Sequence, residues 1–198
     1  MSKIASPAPA PASGSATAAV VAAAAALLQK VTRLSGKQWP EAAEIHGRAE
    51  RLRLQGEELI EQDSLAYLDY VEGVRSGHGV AGAQARTIQI PLEIARAAAE
   101  VAELAELSAS LGNPKLRADA VVAAMLASAA AEAAAYLVGV NVKEAAGGGR
   151  LGETADVRVD EARRLALEAS GRLRPPGARG SAGGPGRGRA RPAGSRRR

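Results

Sequence analysis

Apolar positions recur at spacings of three and four along most of the chain, and the breaks between them consist of residues that start or stop helices. The first run leaves Ser13 or Ser15, either of which suits an N-cap, and reaches about Ser35, with Gly36 as its stop. Trp39-Pro40-Glu41 opens a second helix to about Arg75, with Pro40 where its missing N–H costs nothing. After the loop Ser76-Gly77-His78-Gly79 a third helix runs from about Val80 to Leu111, and Pro91 is expected to bend it. Gly112-Asn113-Pro114 ends that helix and begins the next, Asn113 as N-cap and Pro114 as first helical residue. The fourth helix, to about Lys143, is apolar nearly all round, which predicts a central position. Ala146-Gly147-Gly148-Gly149 breaks it. A last amphipathic helix spans about Asp156 to Ser170, with Val157, Leu165, Ala166 and Ala169 inward and Gly171 after it. Residues 1–12 alternate Pro and Ala and read as an extended arm.

Composition narrows how such helices can pack. Of 198 residues, 46% are apolar, yet there is no Phe, one Trp and three Tyr, so the interior is built from Ala, Leu and Val. Alanine favours helices and lets their axes approach closely, whereas strands favour the aromatic and β-branched residues used sparingly here. The expected fold is all-α: a bundle of about five helices with an alanine-rich core over residues 1–171, followed by a disordered basic tail over 172–198. The chain has no cysteine, which removes disulfides, thiolate metal sites and cysteine nucleophiles and is compatible with a reducing, cytoplasmic setting. Ala16–Leu28 imitates the apolar part of a signal peptide, but three prolines and Gly14 precede it and Lys3 is the one basic residue there. Residues 118–131 are uncharged apart from Asp119, too short a run to span a bilayer, and Glu132 interrupts it. No membrane association is expected. The net charge of +5 belongs to the tail: residues 172–198 hold nine arginines and no acid, which leaves 1–171 at −4.

Two acids break the apolar pattern. The inward seam of the second helix reads Ile45, Ala49, Leu52, Gly56, Leu59, Asp63, Ala66, Tyr70, and this places Asp63 on the buried face. Such a carboxylate must be paired, hydrogen-bonded, protonated or turned toward a ligand cavity. A structural partner at a neighbouring helix end and a functional site are equally good readings. Asp119 lies one turn into the fourth helix, ahead of a long apolar stretch; the helix dipole alone accounts for an acid there, while a second inward acid would make a proton-transfer pair with Asp63. Ser13-Gly14-Ser15 leads into a helix and can offer N–H groups to an anion, or serve as an ordinary cap. Asn141 and Lys143 suit the carbonyl end of the fourth helix. His46 and His78 have no ligand spacing, and Gly147–Gly149 lacks the strand-to-helix context of a phosphate loop.

Taken in order, several segments resemble the folate cyclodeaminase/cyclohydrolase family. Pro9-Ala10-Pro11-Ala12-Ser13-Gly14-Ser15 before an alanine-rich helix is similar to its Pro-x-Pro-Gly-Gly-Gly-Ser opening, and Glu61 through Tyr67 to its Asp-x-x-Ala-Phe/Tyr segment. Ile90-Pro91-Leu92-Glu93-Ile94-Ala95 is similar to its Val-Pro-Leu-x-Ile-Ala helix, and Gly112-Asn113-Pro114 through Asp119 to its Gly-Asn-x-x-x-x-x-Asp motif, with Asn141-Val142-Lys143 fitting a later Asn-containing segment. The likeness spans about residues 4–145. It implies an all-α homodimer acting on a reduced folate, either expelling ammonia from 5-formiminotetrahydrofolate to close the 5,10-methenyl ring or hydrolysing that ring to 10-formyltetrahydrofolate. It further implies Asp63 and Asp119 as acid/base or cation-stabilising residues sharing one pocket, Ser13, Gly14, Ser15, Asn113, Asn141 and Lys143 as substrate contacts, and no cofactor or metal beyond the folate. The chain departs from the pattern at Ala12 and Ser13, where the family has glycine, and at Ala118, where serine precedes the acid.

Two other readings belong to different classes. The departures allow a catalytically impaired family member that serves as a helical dimer scaffold. The tail, with its Gly-Arg and Arg-Arg-Arg elements, can neutralise nucleic-acid phosphates, although no aromatic residue is interleaved for base stacking.

Overall fold

The computed structural model describes residues 2–147 and 153–171, all of whose regular structure is helical. Five α-helices follow in order: α1 (Ser13–Arg33), α2 (Ala42–Ser76), α3 (Val80–Leu111), α4 (Arg117–Ala145) and α5 (Glu153–Gly171), with one 3₁₀ turn, Pro114–Leu116, before α4. The expected tail over 172–198 lies outside the described residues, as do Gly148 and Gly149.

The α2 seam is as the spacing predicts: Ile45, Ala49, Leu52, Gly56, Leu59 and Ala66 are buried. Gly56 lets α1 and α2 cross closely, because a Cβ there would lie 2.9 Å from the Ala22 backbone nitrogen. Alanines 18, 24, 25, 98, 102, 105, 123, 127 and 131 fill one continuous core with Leu28, Leu59 and Leu104, so the helices sit close together. α3 packs against all four other helices.

Several local expectations are corrected. Neither serine caps α1: its N-cap is Ala12, which makes no side-chain cap bond, and both Ser13 and Ser15 lie inside the helix. At the other end Gly36 is not the stop; the helix ends at Arg33 with Leu34 as C-cap, whose N–H returns to Lys30 O. The Pro/Ala arm folds back on itself, with Ser6 bonded to Lys3 O, and Ala10–Pro11 is cis. Asn113 caps the 3₁₀ turn, accepting from the Lys115 N–H at 3.1 Å, and α4 begins only at Arg117. Val157 is 61% exposed; the buried positions of α5 are Val159, Ala162, Ala166 and Ala169. Nor is α4 enclosed, since Val121, Val122, Met125, Leu126 and Tyr136 reach solvent along one side.

α3 runs unbroken through Pro91. A proline at 91 removes the N–H that would bond the Thr87 carbonyl one turn earlier, leaving a half-buried acceptor without its helical partner. Asn141 of α4 supplies the replacement, its Nδ2 donating to Thr87 O at 2.5 Å.

Candidate functional site

α1 and α4 run antiparallel, and where the start of α1 meets the end of α4 a cavity of about 280 Å³ opens to solvent. Its floor is Asp63, flanked on α2 by Tyr67 and Tyr70; its walls are Ser13 and Gly14 of α1, Thr87 and Pro91 of α3, and Leu137, Val140, Asn141 and Glu144 of α4. Pro9 and Ala10 overhang the rim.

Asp63 is held by α1. The Ser15 hydroxyl donates to Asp63 Oδ2 at 2.8 Å, lies 3.1 Å from Ile60 O and 3.0 Å from the Ser64 hydroxyl, and the Ser15 backbone N–H bonds the same carboxyl. The carboxylate thus stands in for the missing side-chain cap of α1, where the helix dipole favours negative charge. Such closeness requires glycine at 14, because a Cβ there would overlap Asp63 Oδ1. Burial acts against these bonds and prevails: it pushes the Asp63 carboxyl above its ordinary value, while the bonds from Ser15 pull it partly back. The result is a carboxyl poised to exchange a proton beside a cavity.

The structure brings Ser13, Gly14, Asp63 and Asn141 around this one space, with Ser15 directly behind the carboxylate. It does not bring the other expected residues there. Asp119 pairs with Lys30 at 2.8 Å near the far end of α1, about 22 Å along that helix from Ser15 at 1.5 Å per residue. The expected meeting of Asp63 and Asp119 in one pocket is therefore corrected for the single chain. Asn113 is spent on structure: besides its capping bond, its backbone N–H donates to Ser35 Oγ at 2.9 Å and its side-chain amide donates to Leu34 O at 3.3 Å. Lys143 is exposed and is not a wall residue. Asn141 has an architectural duty at Thr87, so it forms the wall with one side of its amide already committed.

Sequence reasoning passed over Tyr67, Tyr70, Thr87 and Glu144. The two tyrosines were within reach, because positions 63, 67 and 70 share one helix face and two of the chain's three tyrosines occupy it. Glu144 gave no signal, as an acid in the last turn of a helix reads as a solvated residue. Of the glycines replaced in the opening motif, Ala12 has φ −134°, which asks for no glycine; the position that demands one, 14, retains it.

Comparisons with known proteins give the family and the fold. The family model described as Formiminotransferase-cyclodeaminase matches residues 1–147. Among solved structures, formiminotetrahydrofolate cyclodeaminase from Thermotoga maritima superimposes with a TM-score of 0.77 at 23% identity, covering 86% of this chain and 87% of that one. No curated protein matches the chain. With three quarters of its length matched by that model, the chain belongs to the formiminotransferase-cyclodeaminase family, a family of folate one-carbon enzymes.

Proposed function

We propose that the chain is a formiminotetrahydrofolate cyclodeaminase, which binds the ring end of the folate in the α1–α4 cavity and moves the reaction's proton on Asp63. The observation that carries this reading is the half-buried carboxyl at the cavity floor, raised by desolvation yet fixed in direction by Ser15. At about 280 Å³ the cavity lies just under the range of roughly 300–1,000 Å³ typical of small-molecule sites, which suits a fused ring with the rest of the folate extending out.

The chemistry follows from the groups present. N10 attacks the formimino carbon and loses a proton, then the tetrahedral centre expels its amino group as ammonia and leaves a cationic methenyl ring. Asp63, ionised at the outset, accepts the N10 proton and returns it to the departing nitrogen. The developing cation is stabilised by carboxylate charge from Asp63 and from Glu144 on the facing wall. The carbon stays at the oxidation level of formate throughout, so proton transfer suffices. The opening of the cavity to water favours a second reading of the same site, in which water adds to the methenyl carbon and the ring opens to 10-formyltetrahydrofolate. We assign the work to a cytoplasmic setting, in keeping with a sequence that has no cysteine.

The test is absorbance of the methenyl chromophore with each substrate. Wild type is expected to form it from 5-formiminotetrahydrofolate, or to consume it when hydrolysis is the activity. Asp63→Asn is expected to lose about 10²–10⁴-fold in kcat, the span of general acid–base catalysis. Equal rates for wild type and Asp63→Asn would remove the assignment.

A further inference from the structure

We propose that the uncovered end of α2, from Tyr67 through Val74, seats the p-aminobenzoyl-glutamate arm of the folate along one helix face that leads away from Asp63. The assignment rests on the folate reading above.

The seam of α2 outruns its partner. α1 and α2 lie antiparallel, with Gly56 against Ala22 and Asp63 against Ser15, so the pairing advances one residue for one. Continued at that rate, residue 65 is level with Ser13, and 66–76 have no turn of α1 beside them. α4 ends in the same way: Lys30 pairs with Asp119, which puts residue 136 level with Ser13 and leaves 137–145 beyond it. The Asp63 cavity lies between these two overruns, in front of Thr87 and Pro91 of α3. Positions 63, 67, 70 and 74 share one face of α2. Up to Leu59 that face is buried, whereas past Asp63 it reaches 43% exposure at Tyr67 and 57% at Val74. A face that is core lower down thus continues for about three turns with nothing of α1 over it.

Size and chemistry select the arm as occupant. A cavity of about 280 Å³ takes the fused ring, and the remainder of a folate must leave by the open side, since sites for whole drug-sized ligands run from roughly 300 to 1,000 Å³. What the arm meets there suits it in order. Its benzene ring comes against Tyr67 and Tyr70, whose rings pack with another aryl ring offset or edge to face. Its amide and glutamate carbons follow past Val74, beyond the end of α4. Its carboxylates reach the tip of the α2–α3 hairpin, which carries Arg75 and His78. Arg75 is engaged only in an exposed pair with Glu72 on its own helix, which a ligand carboxylate can replace at small cost. From Asp63 to Val74 the helix rises about 17 Å, enough for a benzene ring, its amide and one residue of about 3.5 Å. Of the chain's first twelve residues, Pro9, Ala10 and Ala12 line the cavity and leave Val74 open to solvent.

The chain's lack of cysteine makes a footprint direct. Val74→Cys is expected to react with a maleimide in the free protein, and about tenfold more slowly with tetrahydrofolate at ten times its Kd. Arm-free 6-methyltetrahydropterin is expected to give no such protection. Leu54→Cys, on the outward side of the same helix, is expected to react at one rate throughout. Val74→Glu, which sets a like charge beside the arm, is expected to raise KM about tenfold with a much smaller change in kcat, as loss of binding remote from the reacting atoms does. A Val74→Cys thiol that is unreactive without ligand, as it would be beneath a second copy or the chain's own first residues, would overturn the seat. So would equal protection by the arm-free pterin, or an unchanged KM in Val74→Glu, and in each case turnover of the folate leaves the proposed function standing. Tetrahydrofolate that protects Val74→Cys in a chain that turns over neither substrate would overturn the function and keep the seat. If tetrahydrofolate does not bind, both fall.

Discussion

At Asp63 two opposing effects meet, burial and the hydrogen bonds from Ser15, and their balance can be measured. The folded carboxyl titrates above its unfolded value, so between the two values the folded state binds more protons. Stability therefore falls as pH rises from the ordinary carboxylate range through the raised value, and stays level above it. Asp63→Asn should flatten that segment of a Tm-against-pH curve and add about 1 kcal/mol at neutral pH, the exchange of function for stability seen at strained sites. Ser15→Ala removes a bond that favours the ionised form; it should move the same segment to higher pH and cost about 1 kcal/mol. This anomaly was legible in the sequence, because seven apolar or small neighbours at three-four spacing left one acid out of place. Asp119 was not: an acid at a helix start has the same local pattern whether it faces a pocket, a lysine or another chain, and the lysine is 89 residues away.

Among the elements, the helices and their order could be read from the spacing, and their ends less well. Local propensity placed caps on Ser13 or Ser15 and on Gly36, but the start of α1 is satisfied by a carboxyl 48 residues distant, and at its C-cap the Leu34 carbonyl accepts from Asn113 of the α3–α4 junction. The pairing of Pro91 with Asn141 is of the same kind, since the carbonyl that proline orphans is rescued from another helix. Removing the amide in Asn141→Ala should cost about 1 kcal/mol, the net worth of a hydrogen bond to a half-buried acceptor. In Pro91→Ala the restored N–H bonds Thr87 itself, so the double variant should lose less than the sum of the singles. Urea unfolding of the four proteins gives that coupling, and additive losses would contradict the link. The amphipathic reading of α5 missed Val157 because the face that packs is set by Val159, Ala162, Ala166 and Ala169, and position 157 lies off it.

At the scale of the molecule, an apolar helix was equated with a central one, yet α4 buries only part of its circumference. Hydropathy reports how apolar a helix is, and it does not distinguish a helix enclosed in the core from one that keeps an apolar face exposed. The site was legible in part for the same reason: residues on one helix face could be grouped, while a cavity assembled from α1, α2, α3 and α4 could not be drawn without their packing. A folate that binds only the folded chain must also stabilise it. A reduced folate at about 100 times its Kd should raise stability by roughly 2.7 kcal/mol, read as a rise in Tm that Asp63→Asn diminishes.

The most direct measurement is the pH dependence of kcat/KM for the folate reaction. With Asp63 as the base that must be ionised, wild type should lose activity on the acid side with a midpoint above the ordinary carboxylate range, Ser15→Ala should move that midpoint higher, and Asp63→Asn should show a low rate without it. An acid limb that persists unchanged in Asp63→Asn would contradict the account.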